Sequence, residues 1–486
     1  MVRVFITLFI LTALSGCNTS ESVDKEFGKC ISCHKMELDA NHSFECTTCH
    51  QGVEGVADKE KAHVGLVSRP AHPDHMAGAC LPCHQQIVEK TKDSLHYTLN
   101  KSTNMFRKAF GATTELNSFV DTPVRPEPEN ELELADNLLR LRCFKCHLYD
   151  SGESYPSTGH GQGCAACHLP FYESAMTSHA FSAPKDEQCL SCHYGNYVGF
   201  DYYGRFEHDF NAEYRTPYTT KNDYFRPYGI EYHQLSADIH QQKGLSCIDC
   251  HLADELMLQG EKPSCKGCHD ETELEKQRPE NVVKKDIGFV LITKSATEHP
   301  LPTLQHPAHF STSENISCQA CHAQWSFDDR GRQFLRLDSD EIEDFSALTV
   351  QGNYDIEQLL TNNLDYSKDE LPIAMTDTLT GTRAKGIWLK AYLTRRWENI
   401  ILGRDDNGQI TVLRPSLDYA LSWMTEDEEV PFDAIQSQAK DHGLRPYTPH
   451  TTGSAGLFYE ARIQQFLAQE NLSKAISTVG ENSKEQ

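Results

Sequence analysis

Apolar residues are unevenly laid along this chain, and the places where they cluster or recur predict its regular elements. The first cluster is continuous. Behind Arg3, the run from Val4 to Leu14 is too short to cross a bilayer and reads as the apolar part of a secretory signal over residues 1–16. Residues 17–27 are polar and charged and read as a tether. A helical period returns at Leu132, Leu134, Leu138, Leu139 and Leu141, which predicts a helix delivering Cys143 and Cys146. Ahead of it, the Pro- and Glu-rich stretch 121–130 reads as a linker. Toward the end of the chain, 382–400 predicts a helix, 400–412 a hairpin turning at Asp406-Asn407-Gly408, and 460–476 an amphipathic helix.

Between these elements the apolar pattern is too thin for a chain of this size. Only 38% of 486 residues are hydrophobic, although that length calls for two or more domains. The cysteines supply the missing explanation. Nine times the chain writes Cys-x-x-Cys-His: Cys30, Cys33 and His34; Cys46, Cys49 and His50; Cys80, Cys83 and His84; Cys143, Cys146 and His147; Cys164, Cys167 and His168; Cys189, Cys192 and His193; Cys247, Cys250 and His251; Cys265, Cys268 and His269; Cys318, Cys321 and His322. These motifs use every cysteine except Cys17, which leaves none for disulfides.

The spacing is that of covalent c-type haem attachment. On one helical turn, positions i, i+3 and i+4 share a face, so two thiols reach the vinyl groups while the histidine turns toward the iron. Zinc knuckles and disulfide frameworks also use paired cysteines, but neither requires a histidine directly after the second. Nine haems are therefore expected, and their macrocycles would provide the core that the polypeptide lacks. The expected architecture is mainly α and irregular, haem-packed, with little sheet and with a haem-free C-terminal α+β segment. Its divisions are a first haem module at 28–110, a second at 111–329, and the C-terminal domain at 330–486.

Each iron also asks for a ligand on its other side. Of 24 histidines, nine belong to the motifs, which leaves 15 for nine positions. The distal candidates are His42, His63, His96, His160, His179, His233, His240, His306 and His309, with His72, His75, His208, His299 and His450 in reserve. Eight methionines, one the initiator, are too few to compete, so bis-histidine ligation should dominate. Met76 is the exception to check. Irons closed on both sides pass electrons without binding substrate. The tyrosines crowded between 194 and 232 read as plates packed over haem edges rather than as proton donors.

Acidic residues outnumber basic ones 70 to 45, so nucleic acid is excluded as a partner. Leu14-Ser15-Gly16-Cys17 resembles the lipobox of bacterial lipoproteins, and by that resemblance Cys17 is lipidated and anchors the mature chain to a membrane. Further stretches extend the likeness: Gln188 to His193 followed by Gly199, Tyr202 and Gly204; Gly163 to His168; Ser94 to Thr98; and Cys247 to His251. Over roughly 28–325 these resemble large bacterial multihaem c-type cytochromes, among them the outer-membrane and extracellular cytochromes of porin–cytochrome conduits. The tail is similar through Arg396-Trp397-Glu398 and Arg445 to Thr451, but it lacks the haem motif expected after the latter, which puts a haem role for His450 in doubt.

The resemblance implies electron conduction between redox-partner cytochromes, at the periplasmic or outer face of the outer membrane, toward an extracellular or terminal acceptor. The alternative is a terminal reductase of nitrogen or sulfur oxyanions with one open haem. Such enzymes often place a lysine on that iron. No Cys-x-x-Cys-Lys occurs, although Lys243 lies close to the seventh motif. A motif with no histidine opposite its iron would favour the enzyme.

Overall fold

The computed structural model describes residues 29–196, 198–208, 226–258, 262–310, 315–348, 352–363, 365, 367–394, 400–454 and 459–482. Cys17, the signal and the tether lie outside them, as do Arg396-Trp397-Glu398 and the side chains of His208 and His233.

The region of the repeated Cys-x-x-Cys-His motifs is built from very short helices because each motif occupies a single turn, as at Cys247–Cys250, Cys265–His269 and Cys318–His322. Local sequence starts those turns. Ser264 and Ser317 stand just before their motifs and accept hydrogen bonds from the Gly267 and Ala320 amides, so the first cysteine begins a capped turn. The longer helices are Leu81–Thr91, Asn100–Ala109, Glu131–Leu138 and Asp186–His193. The helix foreseen from the leucine period is present, capped by Asn130. It then unwinds into a wider turn at Leu139–Cys143 and a tight one at Phe144–Cys146.

The expectation of a mainly helical chain with little sheet is overturned. Among the described residues there are six sheets. Small ones punctuate the motif region: β1 (Phe171–Tyr172) with β2 (Ala175–Met176), β3 (Arg205–His208) with β4 (Glu231–Gln234), and the meander β5 (Val282–Lys285), β6 (Gly288–Ile292) and β7 (Glu298–Pro300). The larger ones fill the C-terminal part. There β8 (Arg330–Leu337), β11 (Ile387–Thr394), β14 (Tyr419–Met424) and β15 (Phe432–Gln436) form a mixed sheet in the order β11-β8-β14-β15, with β14 parallel to β8. Two further sheets join β9 (Ala374–Thr376) to β10 (Arg383–Lys385), and β12 (Ile401–Arg404) to β13 (Ile410–Pro415) and β16 (Leu444–Pro446).

The helix expected over 382–400 is likewise replaced by β10 and β11. Ile387, Trp388 and Leu389 are fully buried in succession, as in a strand covered on both faces, and β-branched and aromatic side chains fit that setting better than a helix. The hairpin at Asp406-Asn407-Gly408 forms as foreseen between β12 and β13, and the last helix runs Tyr459–Asn482.

One hydrophobic cluster runs from Phe106 and Phe110 through Leu134, Leu138, Leu141 and Phe144 to Phe334, Leu337, Trp388 and Leu421. The C-terminal sheet thus shares a core with the helix that delivers the fourth motif. Trp388 Nε1 donates to Asn137 Oδ1 at 2.9 Å, and buried Arg140 pairs with Asp377 at 2.9 Å. Elsewhere Ile463 of the last helix packs on Ala320 of the ninth motif. No helix among the described residues is long and apolar enough to cross a membrane.

Candidate functional site: a chain of thiol pairs and imidazoles

Five of the nine motif histidines are held in one protonation form. His50 Nδ1 donates to the Val67 carbonyl, His168 to Ser182, His269 to Pro302 and His322 to Gly453, all at 2.8–2.9 Å, and His251 donates to the Glu255 carboxylate at 2.8 Å. Several other histidines follow the rule: His42 on Asp39, His240 on Asp238, His160 on the Gly161 carbonyl. A proton fixed on Nδ1 leaves Nε2 as a lone-pair donor, which is the arrangement that orients metal-binding imidazoles.

Many of the imidazoles stand in pairs across gaps of a definite width. An imidazole–metal bond is roughly 2.0–2.1 Å, and the ring centre lies about 1.1 Å behind the nitrogen, so two rings sharing one metal stand about 6.2 Å apart. Seven motif histidines have such a partner: His34 with His63 at 6.0 Å, His50 with His179 at 5.9 Å, His84 with His42 at 6.2 Å, His193 with His96 at 6.2 Å, His251 with His450 at 6.3 Å, His269 with His240 at 6.0 Å and His322 with His309 at 6.2 Å. Two of these pairs, His50 with His179 and His193 with His96, connect the stretches before and after position 110.

The motifs also touch in sequence-crossing order. Cys30 lies in reach of Cys46, Cys80 of Cys164, Cys189 of Cys247, and Cys265 of Cys318. Cys49 feels the charge of Cys83, Cys167 that of Cys189, and Cys250 that of Cys268. The run is therefore one, two, three, five, six, seven, eight, nine. The fourth motif hangs from the sixth as a side branch, through Cys146 against Cys192.

A single cleft of about 3750 Å³ is lined by eight of the nine motifs, all but the first. Ordinary ligand pockets hold roughly 300–1,000 Å³, so this space suits several large groups. Among the described residues no three His, Cys, Asp or Glu side chains cluster as a bare metal ion would need. Paired thiols, paired imidazoles with fixed lone pairs and a cleft of this size are the donor set and the room that covalent haem requires.

The fourth motif differs from those five. His147 is 1% exposed and its Nδ1 accepts from the Tyr149 and Asp150 amides at 2.9 and 3.0 Å, which puts the proton of the neutral ring on Nε2. The ring lies 4.1 Å from Phe119, and Nε2 is buried without a hydrogen-bond partner. Burial lowers its pKa to about 3, so the ring stays neutral. His147 is thus in the form opposite to an iron ligand, and no histidine faces it at the bridging distance among the described residues.

What surrounds the fourth motif is charge. Burial pushes the Cys143 thiol up to about 11, against the pull of Arg142, Arg332 and Lys390. The cleft here is lined by those three together with Lys145, Glu153, Glu207, Tyr392 and Tyr419, several of them on β8, β11 and β14. Lys390 pairs with Glu207 at 2.9 Å, Lys145 lies 3.7 Å from Asp355, and Arg332 donates to the Tyr419 hydroxyl at 2.8 Å. Burial raises the Glu153 carboxyl to about 7.

The distal candidates divide accordingly. His42, His63, His96, His179, His240 and His309 each face a motif histidine, and so does His450, which the sequence had held in reserve. His306 Nδ1 accepts from the Ala308 amide and so caps a turn. His72 does the same for Asp74 and lies against His75. His160 is buried with an unpartnered Nε2 beside Cys192, ready to bind a metal but facing no second imidazole. His299 also buries an unpartnered Nε2. Met76 is used in packing, its sulfur accepting from the Tyr97 hydroxyl at 3.5 Å. Lys243 closes a helical turn, and the seventh motif's His251 already has His450 opposite it. The fifth motif's His168 has the ligand form but no facing imidazole among the described residues.

Tyr194, Tyr202 and Tyr228 are buried, and the Tyr202 hydroxyl donates to the Leu245 carbonyl, in keeping with packing. Comparison of the chain with protein-family models, with curated proteins and with solved structures found no match.

Proposed function

We propose that this chain is a nonahaem c-type cytochrome that conducts electrons along a continuous run of mostly bis-histidine sites. The observation that carries the reading is the set of seven imidazole pairs 5.9–6.3 Å apart, each joining a motif histidine to one distant in sequence. Bound at the motif cysteines, haem would supply one-electron iron chemistry. The protein's part would be to fix many of the imidazoles by an Nδ1 hydrogen bond, to offer a second imidazole at seven motifs, and to hold neighbouring motifs nearly in contact. Export behind the leader, a lipid on Cys17 and partners among redox cytochromes or an outer-membrane porin complex complete the proposal.

Mass spectrometry of the mature protein should find nine haem additions and a lipid-modified Cys17. Electron paramagnetic resonance should find at least seven low-spin ferric centres. A chain carrying no haem, or mostly high-spin iron, would overturn the reading.

A second reading, terminal reduction of a small oxyanion, is favoured by one observation. The Nδ1 of the fourth motif's His147 accepts from two backbone amides, and no second imidazole stands at the bridging distance from it among the described residues.

A further inference from the structure

We infer that residues 447–453 form a strap through which the C-terminal region sets the seventh, eighth and ninth sites together, with Asp238 as the positioning residue that ties the strap down. This rests on the haem-binding reading proposed above and gives a task to a region that carries no Cys-x-x-Cys-His motif of its own. The strap brings one imidazole itself. His450 donates from Nδ1 to the Thr448 carbonyl at 3.2 Å and stands 6.3 Å from His251 of the seventh motif. It orients a second, because the Gly453 carbonyl accepts from Nδ1 of His322, the ninth motif's histidine, at 2.9 Å. The third is reached through Asp238. One of its carboxylate oxygens takes the His240 Nδ1 at 2.7 Å and the other takes the Thr452 amide at 2.7 Å, and His240 is the ring opposite His269 of the eighth motif.

Backbone hydrogen bonds join the three mechanically. The start of the strap is fixed by the Tyr447 amide on the Val412 carbonyl and by the Tyr447 hydroxyl on Asp201. Its end is clasped between two segments. On one side the Ile239 amide donates to the Thr452 carbonyl at 2.8 Å; on the other the Gln324 amide donates to the Thr451 carbonyl at 2.8 Å and the Gly453 amide to the His322 carbonyl at 2.9 Å. Asp238 and Thr451 are buried inside this clasp. A carboxylate on Nδ1 fixes the tautomer of a metal-binding ring and raises its basicity. Asparagine in its place has one acceptor oxygen where two are used, so its NH2 group must face either the His240 ring or the Thr452 amide, both donors. Either choice loosens the ring or the strap.

The test uses paramagnetic resonance spectra of the intact, haem-loaded protein, with His450→Gly, His240→Gly and His309→Gly assigning the seventh, eighth and ninth low-spin signals by their disappearance. In Asp238→Asn every low-spin signal should remain, but those three should shift together, the eighth most, while the others do not change. The dissociation constant of added potassium cyanide at the eighth centre should fall roughly tenfold, because His240 is held less firmly. Gln324→Ala, an exposed change that removes side-chain bonds to the Ala237 and Thr452 carbonyls, should shift the same signals by less and guards against a variant that fails to fold. A parent with no low-spin signals would overturn the haem-binding reading itself. Low-spin signals that ignore Asp238→Asn, or a shift that spares the seventh or the ninth, would overturn the strap and leave that reading standing.

Discussion

At the scale of single residues, function is written in which ring nitrogen carries the proton. His450 stands 6.3 Å from His251 with its ring nearly parallel, whereas His306 spends its Nδ1 on a backbone amide. Replacing His450 by glycine should therefore convert one low-spin centre to high-spin and add one carbon monoxide equivalent. His306→Ala should leave the spectrum unchanged and cost about 1 kcal/mol of stability at most. The nine Cys-x-x-Cys-His motifs were legible in the sequence because they keep one short spacing, and six of the nine histidines named as distal candidates stand opposite a motif histidine. His147 was not, since an imidazole accepting from amides two and three residues on has the same five-letter motif as one that binds iron.

Asp201 makes a pH prediction. It is fully buried, accepts from the Tyr447 hydroxyl at 2.6 Å and leaves Oδ1 unpartnered. Burial pushes its pKa from 3.8 to about 7, against Arg414 and Tyr447. Between those values the folded state keeps a proton that the unfolded chain has lost, so its contribution to stability falls as pH rises from about 4 to about 7 and then levels. Three units correspond to at most about 4 kcal/mol. Thermal melts of Asp201→Asn should show a smaller loss between pH 5 and 8 than the parent; an equal loss would mean the carboxyl ionises normally.

At the scale of elements, β11 ties the C-terminal sheet to the helix Glu131–Leu138. Trp388 is fully buried and donates to Asn137. Trp388→Ala should cost about 3–5 kcal/mol, measured by denaturant unfolding. Removing Arg140 should cost about as much, because Asp377 would be left charged in the core. The helix before the fourth motif and the hairpin at Asn407 could be read from local pattern. The run around Trp388 could not, because a continuous apolar stretch has no period and its strand identity comes from β8 alongside it. The sheets of the motif region were equally hidden, being strands of two to five residues among motif turns.

At the scale of the whole molecule, the motif order in space differs from that in sequence only at the fourth. Replacing Cys189 and Cys192 by alanine should remove the sixth site and split the path. Stopped-flow reduction by a small soluble donor should then become multiphasic, with part of the signal at least tenfold slower than in the parent. Unchanged kinetics would show that the branch receives electrons by another way. The sixth motif is the junction because Cys189 and Cys192 reach toward the seventh, fifth and fourth together.

A T-shaped conductor behaves differently from a line. Under the proposed function, traffic between the two far ends need never enter the spur, so a molecule lacking the fourth site would still relay current from neighbour to neighbour.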